Sequence, residues 1–167
     1  MVPTLKHCSF PTYEPLSPRV VSAVLANART LQRAAQAGAT QPLLRGKNLG
    51  LLCEADNDVD ATLFRRATVD LGAHVAHIRP SLSELSTPQE VQHTARMLGR
   101  LYDAVECQGM ASALVQQIGR DAGVPVYDGI ASSGHPTATL AELLGGDASP
   151  ADSRRFVLQA VLLNTIA

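Results

Sequence analysis

The stretch NLGLLCEADNDVDATLFRRATVDLGAHVAHI, residues 48–78, decides the fold. It opens with a short apolar run, Asn48 to Cys53, which is typical of a buried parallel strand. A helix is predicted near Asp60 to Leu71, closed by Gly72, and a second strand is predicted from Ala73 to Ile78. Strand, helix and strand at this spacing predict a βαβ unit with parallel strands.

The same alternation continues on either side of this unit. Ser17 and Pro18 predict the start of an earlier helix, which ends at Gly38. Downstream, the sequence TPQE at 87–90 predicts another capped helix start. The remaining predicted elements are a strand at 103–107, a helix at 110–121, a strand at 124–127 and a helix at 136–144. We therefore expect an α/β fold, a doubly wound four-stranded parallel sheet flanked by helices.

The chain divides into three segments at its breakers and caps. Residues 1–16 contain several prolines and are predicted to be a loose N-terminal segment. Residues 17–146 make up the α/β domain, and residues 147–167 carry a last predicted helix with no predicted strand before it. The apolar residues of this helix recur at helical spacing, so we expect it to pack back on the same domain.

Composition argues against several classes of function. Formal net charge is -1, with 14 basic and 15 acidic residues and no basic run, so nucleic-acid binding is not expected. No stretch approaches the roughly 20 apolar residues that span a bilayer, so no membrane association is expected. The three cysteines are dispersed and indicate no disulfide framework, which favours a reducing, cytoplasmic setting. The sequence indicates no cofactor.

Short matches in a fixed order make the chain resemble ornithine and aspartate carbamoyltransferases. The matching segments are QPLLRGKNLG at 41–50, LGAHV at 71–75, TARMLGRLYD at 94–103, AGVPVYDG at 122–129 and HPT at 135–137. The resemblance implies the fold of the family's carbamoyl-phosphate domain, with strand order 2-1-3-4. It also implies a homotrimer assembled through that domain.

The last helix extends the resemblance. The sequence SRRFVLQAV at 153–161 is similar to the helix that ends family chains and packs back on their first domain. In the family, an amino-acid-binding domain lies between the HPTQ helix and this returning helix. Here only residues 145–149 intervene. The resemblance therefore implies a compact unit without the second-substrate domain.

The residues with which the family binds the phosphate group are replaced in this chain. The family binds carbamoyl phosphate with a Ser-Thr-Arg-Thr-Arg loop after the first strand, and the corresponding residues here, 57–61, read NDVDA. The family's arginine after strand three corresponds to Gln108, and the glutamine of its HPTQ motif corresponds to Ala138. Arginines and helix starts bind phosphate, whereas acids repel it. We therefore expect no ordinary carbamoyl transfer.

Counting from Glu54, acidic residues recur at Glu54, Asp56, Asp58 and Asp60, and the last two lie within the segment that replaces the family's loop. A calcium loop would need glycine at its sixth position and glutamate at its twelfth, and this chain has alanine at both. No metal site is therefore expected. The acids instead favour the helix start through its dipole.

The predicted crevice lies at the carboxyl ends of the strands, where open parallel sheets bind ligands. Its candidate residues are Glu54, Asn57, Asp58, Val59, Asp60, Cys107, Gln108, His135 and Thr137. His135 has two interpretations, a retained ligand contact or a residue that suits a helix start together with Pro136. No residue is assigned a catalytic role.

The cysteines at the strand ends also have two interpretations. Cys53 and Cys107 follow strands one and three, which are neighbours in the order 2-1-3-4. They are either reactive thiols beside the crevice or small apolar residues of the core.

Two functional hypotheses follow. In the first, the chain is catalytically inactive and acts as a binding or assembly module, which takes a small-molecule ligand or joins a full-length carbamoyltransferase. In the second, it is an enzyme with altered chemistry at the former carbamoyl-phosphate crevice. The acids there would suit a neutral or cationic substrate better than phosphate.

Overall fold

The computed structural model describes residues 16–55 and 57–166. Asp56, Cys8 and nearly all of the predicted N-terminal segment 1–16 lie outside these ranges. The elements in chain order are α1 Pro18–Gln36, β1 Asn48–Leu52, α2 Val59–Asp70, β2 His74–Ile78, α3 Pro88–Leu101, β3 Ala104–Cys107, α4 Ser112–Ala122, β4 Val126–Asp128, α5 Thr137–Leu144 and α6 Pro150–Ile166. The predicted order of strands and helices is thus confirmed.

The sheet of the described residues has four parallel strands in the order β2-β1-β3-β4. Leu52 pairs with Ile78 on one side and with Cys107 on the other, and Cys107 pairs in turn with Asp128. All the strands therefore end at the same edge of the sheet. This arrangement confirms the predicted doubly wound α/β fold and its strand order.

Apolar clusters on both faces of the sheet explain why the strands read as continuous hydrophobic runs. One cluster joins Leu49 and Leu51 of β1 to α1, α2, α5 and α6, with Phe64 of α2 at its centre. The other joins Val105 of β3 to α3 and α4, including Ile118. A parallel sheet is stable only when helices cover both faces in this way.

Local signals set the start of α3 where the sequence predicts it. The Thr87 side chain accepts the Glu90 N–H, and the Glu90 carboxylate accepts the Thr87 N–H, which completes the capping box of α3.

Strand β4 begins at Val126, two residues later than predicted, because Pro125 has no N–H to donate to a ladder.

Helix α6 packs along α1, α2 and α5 rather than following a strand. The Gln159 side chain donates to the Ala67 carbonyl, and the Asn27 amide donates to Asn164. The Tyr127 hydroxyl is hydrogen-bonded to Thr165, next to Asn164 at the C-terminal end of the helix. Among the described residues, no helix is both long and apolar enough to cross a membrane.

Candidate functional site

The predicted crevice residues lie at or after the carboxyl ends of β1, β3 and β4, which lie side by side in the sheet. The Gln108 N–H donates to the Leu52 carbonyl at 2.8 Å, and the Gly129 N–H donates to the Cys107 carbonyl at 2.9 Å. These bonds hold the ends of β1, β3 and β4 together. The loop of residues 129–136, here called the wall loop, leads from β4 to α5.

The start of α2 is capped by the protein's own carboxylate. Asp58 is the N-cap residue, and its Oδ1 accepts the Ala61 N–H at 2.6 Å. The Asp58 carbonyl accepts the Thr62 N–H at 3.0 Å. A helix start offers unpaired N–H donors and a positive dipole end, and Asp58 satisfies both. One donor that would face a bound phosphate is therefore already occupied.

The other acidic candidates lie around this cap. Glu54, Asn57 and Val59 are exposed, and Val59 exposes 79% of its surface. Asp60 is half-buried, and its pKa is raised by burial first and by the neighbouring Asp58 charge second, while Arg154 opposes the shift. This loop presents negative charge and no basic side chain of its own.

We expect Asp58→Ala to lower the free energy of unfolding by about 1 kcal/mol, the usual effect of removing an N-cap side chain. Urea unfolding followed by circular dichroism measures it. Asp58→Asn is the matched control, because asparagine caps helices equally well and should change stability little. An alanine variant as stable as the parent would show that the cap contributes nothing.

Glu106 is a buried acid that the sequence analysis did not single out. It is fully buried in β3, and its two carboxyl oxygens accept the Ile130 N–H at 3.2 Å and the Ala131 N–H at 3.3 Å. Burial raises its pKa to about 8, although these backbone hydrogen bonds oppose the shift. The Glu106 carboxyl group thus binds two backbone N–H groups of the wall loop.

Gln108 lies two residues beyond Glu106, on the same side of β3. It is 8% exposed, and its side chain lowers the pKa of Glu106 slightly. Within the described part of the chain, neither its amide oxygen nor its amide nitrogen makes a hydrogen bond of normal geometry. A buried amide in this state costs about 1–3 kcal/mol, so Gln108 has unused donor and acceptor capacity.

His135 and Thr137 are buried at the start of α5. The Thr137 N–H donates to His135 Nδ1 at 3.1 Å, and the Thr137 hydroxyl lies 2.8 Å from the same nitrogen. That hydroxyl is also 3.3 Å from the Ile130 carbonyl. Since Nδ1 accepts a backbone N–H, the neutral ring carries its proton on Nε2. These bonds tie the imidazole to its own helix start and to the wall loop.

The cysteines at the strand ends are both buried, Cys53 at 2% and Cys107 at 1% exposure. Burial raises the pKa of the Cys107 thiol, and the Glu106 and Asp128 charges raise it further. A thiol acts as a nucleophile or metal ligand through its thiolate, which this environment disfavours. Cys107 therefore lacks the features of a reactive cysteine.

Arg154 of α6 holds the wall loop from the other side. Its Nη2 donates to the Ala131 carbonyl at 2.8 Å and to the Ser132 carbonyl at 3.1 Å. Carbonyls of the loop thus bind α6, and amides of the loop bind Glu106. The sequence held one signal for this role, an arginine at the start of a helix otherwise rich in buried residues.

No group of three or more His, Cys, Asp or Glu side chains is placed to hold a metal ion among the residues that the structure describes. The acids at the start of α2 point to capping and helix-dipole roles instead.

Comparison with known proteins places this geometry in a family. Residues 9–145 match the family described as aspartate/ornithine carbamoyltransferase, carbamoyl-P binding domain. A catabolic ornithine carbamoyltransferase of Mycoplasma capricolum subsp. capripneumoniae is 38% identical over 144 residues, which are 86% of this chain and 46% of that protein. An ornithine carbamoyltransferase of Actinobacillus pleuropneumoniae serotype 5b is 39% identical over 126 residues, 75% of this chain and 38% of that protein.

Solved structures show the same fold. The chain matches ornithine carbamoyltransferase from Pyrococcus furiosus with a TM-score of 0.64 and 23% identity, over 82% of this chain and 45% of that one. It matches a putative aspartate carbamoyltransferase of Leishmania major with a TM-score of 0.67 and 25% identity, over 86% of this chain and 45% of that one.

The chain spans less than half the length of these relatives, and the matched part is their carbamoyl-phosphate domain. The strand order, the capped helices and the segments at 41–50, 94–103 and 122–129 agree with that match. The chain belongs to the aspartate/ornithine carbamoyltransferase family, through its carbamoyl-phosphate-binding domain.

Proposed function

We propose that this chain is a carbamoyltransferase-like domain that does not transfer carbamoyl groups and acts as an assembly or ligand-binding module. One observation carries the proposal. The backbone donors that an anion would need at the crevice are held by the protein's own acids, Asp58 at the start of α2 and Glu106 beneath the wall loop.

Charge at the crevice also disfavours carbamoyl phosphate. A phosphate dianion at the start of α2 would approach Asp58 and Asp60, and each repulsion costs on the order of 1 kcal/mol at a few ångströms in a well-solvated site. The positive charge of Arg154 acts on Asp60, but Arg154 already donates to two carbonyls.

Loss of orientation is the larger barrier to catalysis. The positions that correspond to the family's arginine and glutamine are Gln108 and Ala138, and neither can balance a phosphate charge. Holding reactants in place supplies roughly 7–11 kcal/mol of a reaction barrier. A site without side chains that bind the phosphate loses much of this contribution from orientation, even with His135 retained.

We expect isothermal titration calorimetry to detect no binding of carbamoyl phosphate up to about 10 mM, because Asp58 already holds a donor at the start of α2 and displacing Glu106 would leave a buried acid unpaired. An ornithine carbamoyltransferase such as the Pyrococcus furiosus protein serves as the positive control. Citrulline formation from ornithine and carbamoyl phosphate is measured in parallel. Saturable binding, or turnover above the uncatalysed rate, would contradict the proposed inactivity.

Exposed apolar side chains on and before α3 favour the assembly role. Met97 and Leu101 lie one turn apart on α3 and are 47% and 58% exposed, and Leu85 in the preceding segment is 94% exposed. Met97 and Leu101 thus form an exposed apolar pair at the end of α3, of the kind that protein interfaces cover. The family resemblance implies a homotrimer, and a mixed trimer with a full-length carbamoyltransferase is the related alternative.

Native mass spectrometry, alone and after mixing with an ornithine carbamoyltransferase, tests the assembly role. We expect trimers, and we expect Leu101→Glu to dissociate them. Leu143→Glu is the matched control, since Leu143 is equally exposed at 59% but lies on α5. A monomer at all concentrations that forms no complex with the full-length enzyme would exclude this role.

A second candidate function is an enzyme of altered chemistry acting on a neutral or cationic substrate. The Gln108 amide favours it, because its two polar atoms make no hydrogen bond of normal geometry within the described residues and could both donate to and accept from a neutral group. Thermal-shift screening with amines and carbamoyl compounds, repeated on Gln108→Leu, tests it. A shift that disappears in this variant supports the candidate, and the absence of any shift counts against it.

A further inference from the structure

We propose that a second site, a cleft between α1 and α6, binds an amino acid with an apolar side chain in its zwitterionic form. The cleft has a volume of about 440 Å³ and lies between the second half of α1, the loop 39–43, the end of α2 and the first half of α6. None of its described lining residues belongs to the crevice at the strand ends. The proposed crevice function and this site are therefore independent.

The floor of the cleft is apolar. Leu31 and Ala34 of α1 face Leu71 and Phe156 across it, and the last two are 3% and 5% exposed. Leu43 stands at the cleft with half of its surface in water. A floor of this kind removes an aliphatic or aromatic side chain from water, which is the main driving force for binding small apolar groups.

A charged pair stands beside this floor. Arg155 Nη1 lies 3.2 Å from Asp70 Oδ2, and Arg155 Nη2 lies 3.2 Å from Asp152 Oδ1. The guanidinium is stacked 4.6 Å from the centre of the Phe156 ring, which fixes its position. The cleft therefore presents an immobilised cation next to the Asp70 carboxylate, and both of these side chains line it.

Both partners keep hydrogen-bonding capacity. A guanidinium has five N–H donors, and the bonds to the two aspartates use two of them. Within the described residues, Arg155 Nε has no partner, although it is itself buried. The Asp70 side chain is 43% exposed, so its carboxylate can accept from an incoming donor.

The charge balance selects a zwitterion. Asp70 and Arg155 are the charged residues among those that line the cleft, and their formal charges cancel. A ligand with one net charge would disturb this balance, whereas an α-ammonium on Asp70 and an α-carboxylate on Arg155 preserve it. The α-carbon substituent then lies over the apolar floor. A half-exposed site with a ligand of this size predicts a Kd on the order of 1 mM.

Two-dimensional ¹H–¹⁵N NMR titration of the intact protein tests the proposal. L-Leucine should shift the amide signals of residues 30–34, 71 and 156 in a saturable way, with a Kd on the order of 1 mM. Isoamylamine and 4-methylpentanoate carry the same alkyl group with one charge each, and should bind about tenfold more weakly. Glycine, a zwitterion without a side chain, should cause no saturable shift.

Asp70→Asn should weaken leucine binding about tenfold while the rest of the spectrum stays unchanged. Asp121→Asn, on α4 across the sheet, is the matched control and should leave the Kd unchanged. The proposal is overturned by the absence of saturable shifts at 30–34, by equal binding of the amine or acid analogues, or by unchanged affinity of Asp70→Asn. Shifts confined to Gln108 and His135 would assign leucine to the crevice and equally overturn the second site.

Discussion

Glu106→Gln is expected to remove most of the pH dependence of stability between about pH 5 and pH 8. The pKa of Glu106 is about 8 in the folded protein, because burial disfavours its charged form, against an ordinary value of 4.5. Between these values the folded state holds a proton that the unfolded state releases. The free energy of unfolding therefore falls as the pH rises, by up to about 1.4 kcal/mol per pH unit.

Glutamine is the neutral isostere of the protonated acid, so the variant has no proton to lose at this position. Its carbonyl oxygen can accept one of the Ile130 and Ala131 N–H groups, as the protonated acid does. At pH 5 we expect the variant to have the same free energy of unfolding as the parent or a slightly lower one. At pH 8 we expect its free energy of unfolding to be higher by a few kcal/mol.

Guanidinium unfolding of both proteins at several pH values measures this effect. Other titrating groups are common to both proteins, and their contributions cancel in the difference. Glu142→Gln on the exposed side of α5 is the matched control and should follow the parent curve. Parallel curves for the parent and Glu106→Gln would mean that Glu106 titrates alike in the folded and unfolded states.

The elements of this fold could be predicted from the sequence because each has a local signal. A short apolar run marks β1, because a parallel strand covered on both faces is apolar throughout. The capping box at Thr87 marks α3, because it satisfies the free N–H groups of a helix start. The sequence defines the ends of the strands less well, as at β4, which starts two residues later than predicted. Its start depends on Pro125, whose lack of an N–H delays the ladder.

The polar groups that close the site could not be predicted in the same way. Glu106 lies in a strand that otherwise reads as apolar, and nothing nearby in sequence shows that residues 130 and 131, 24 and 25 positions later, supply its partners. Arg154 likewise finds its carbonyls only through the packing of α6. The sequence places Asp58 among acids that favour the helix start through its dipole, whereas its role as the N-cap residue is seen in the structure.

The second large effect is expected at Gly99, where α3 crosses α4. A Cβ atom added there would lie 1.8 Å from the Ala122 carbonyl oxygen, far inside the 3.0 Å that real Cβ contacts respect. That oxygen is backbone at the last turn of α4, so it cannot rotate away as a side chain would. The two helices must separate, and the cluster around Leu98 and Ile118 must open with them.

Gly99→Ala should therefore lower the free energy of unfolding by about 3 kcal/mol. The destabilisation from overpacking against the backbone is larger than the stabilisation of roughly 0.5–1 kcal/mol that alanine gives a helix relative to glycine. Gly119→Ala on α4 is the matched control. Its added Cβ would meet only Val126 Cβ at 3.8 Å, an ordinary contact, so helix propensity alone should make it neutral or slightly stabilising. Urea unfolding of both variants decides the question: if the two substitutions have the same effect, the close approach of α3 and α4 is not what requires glycine at position 99.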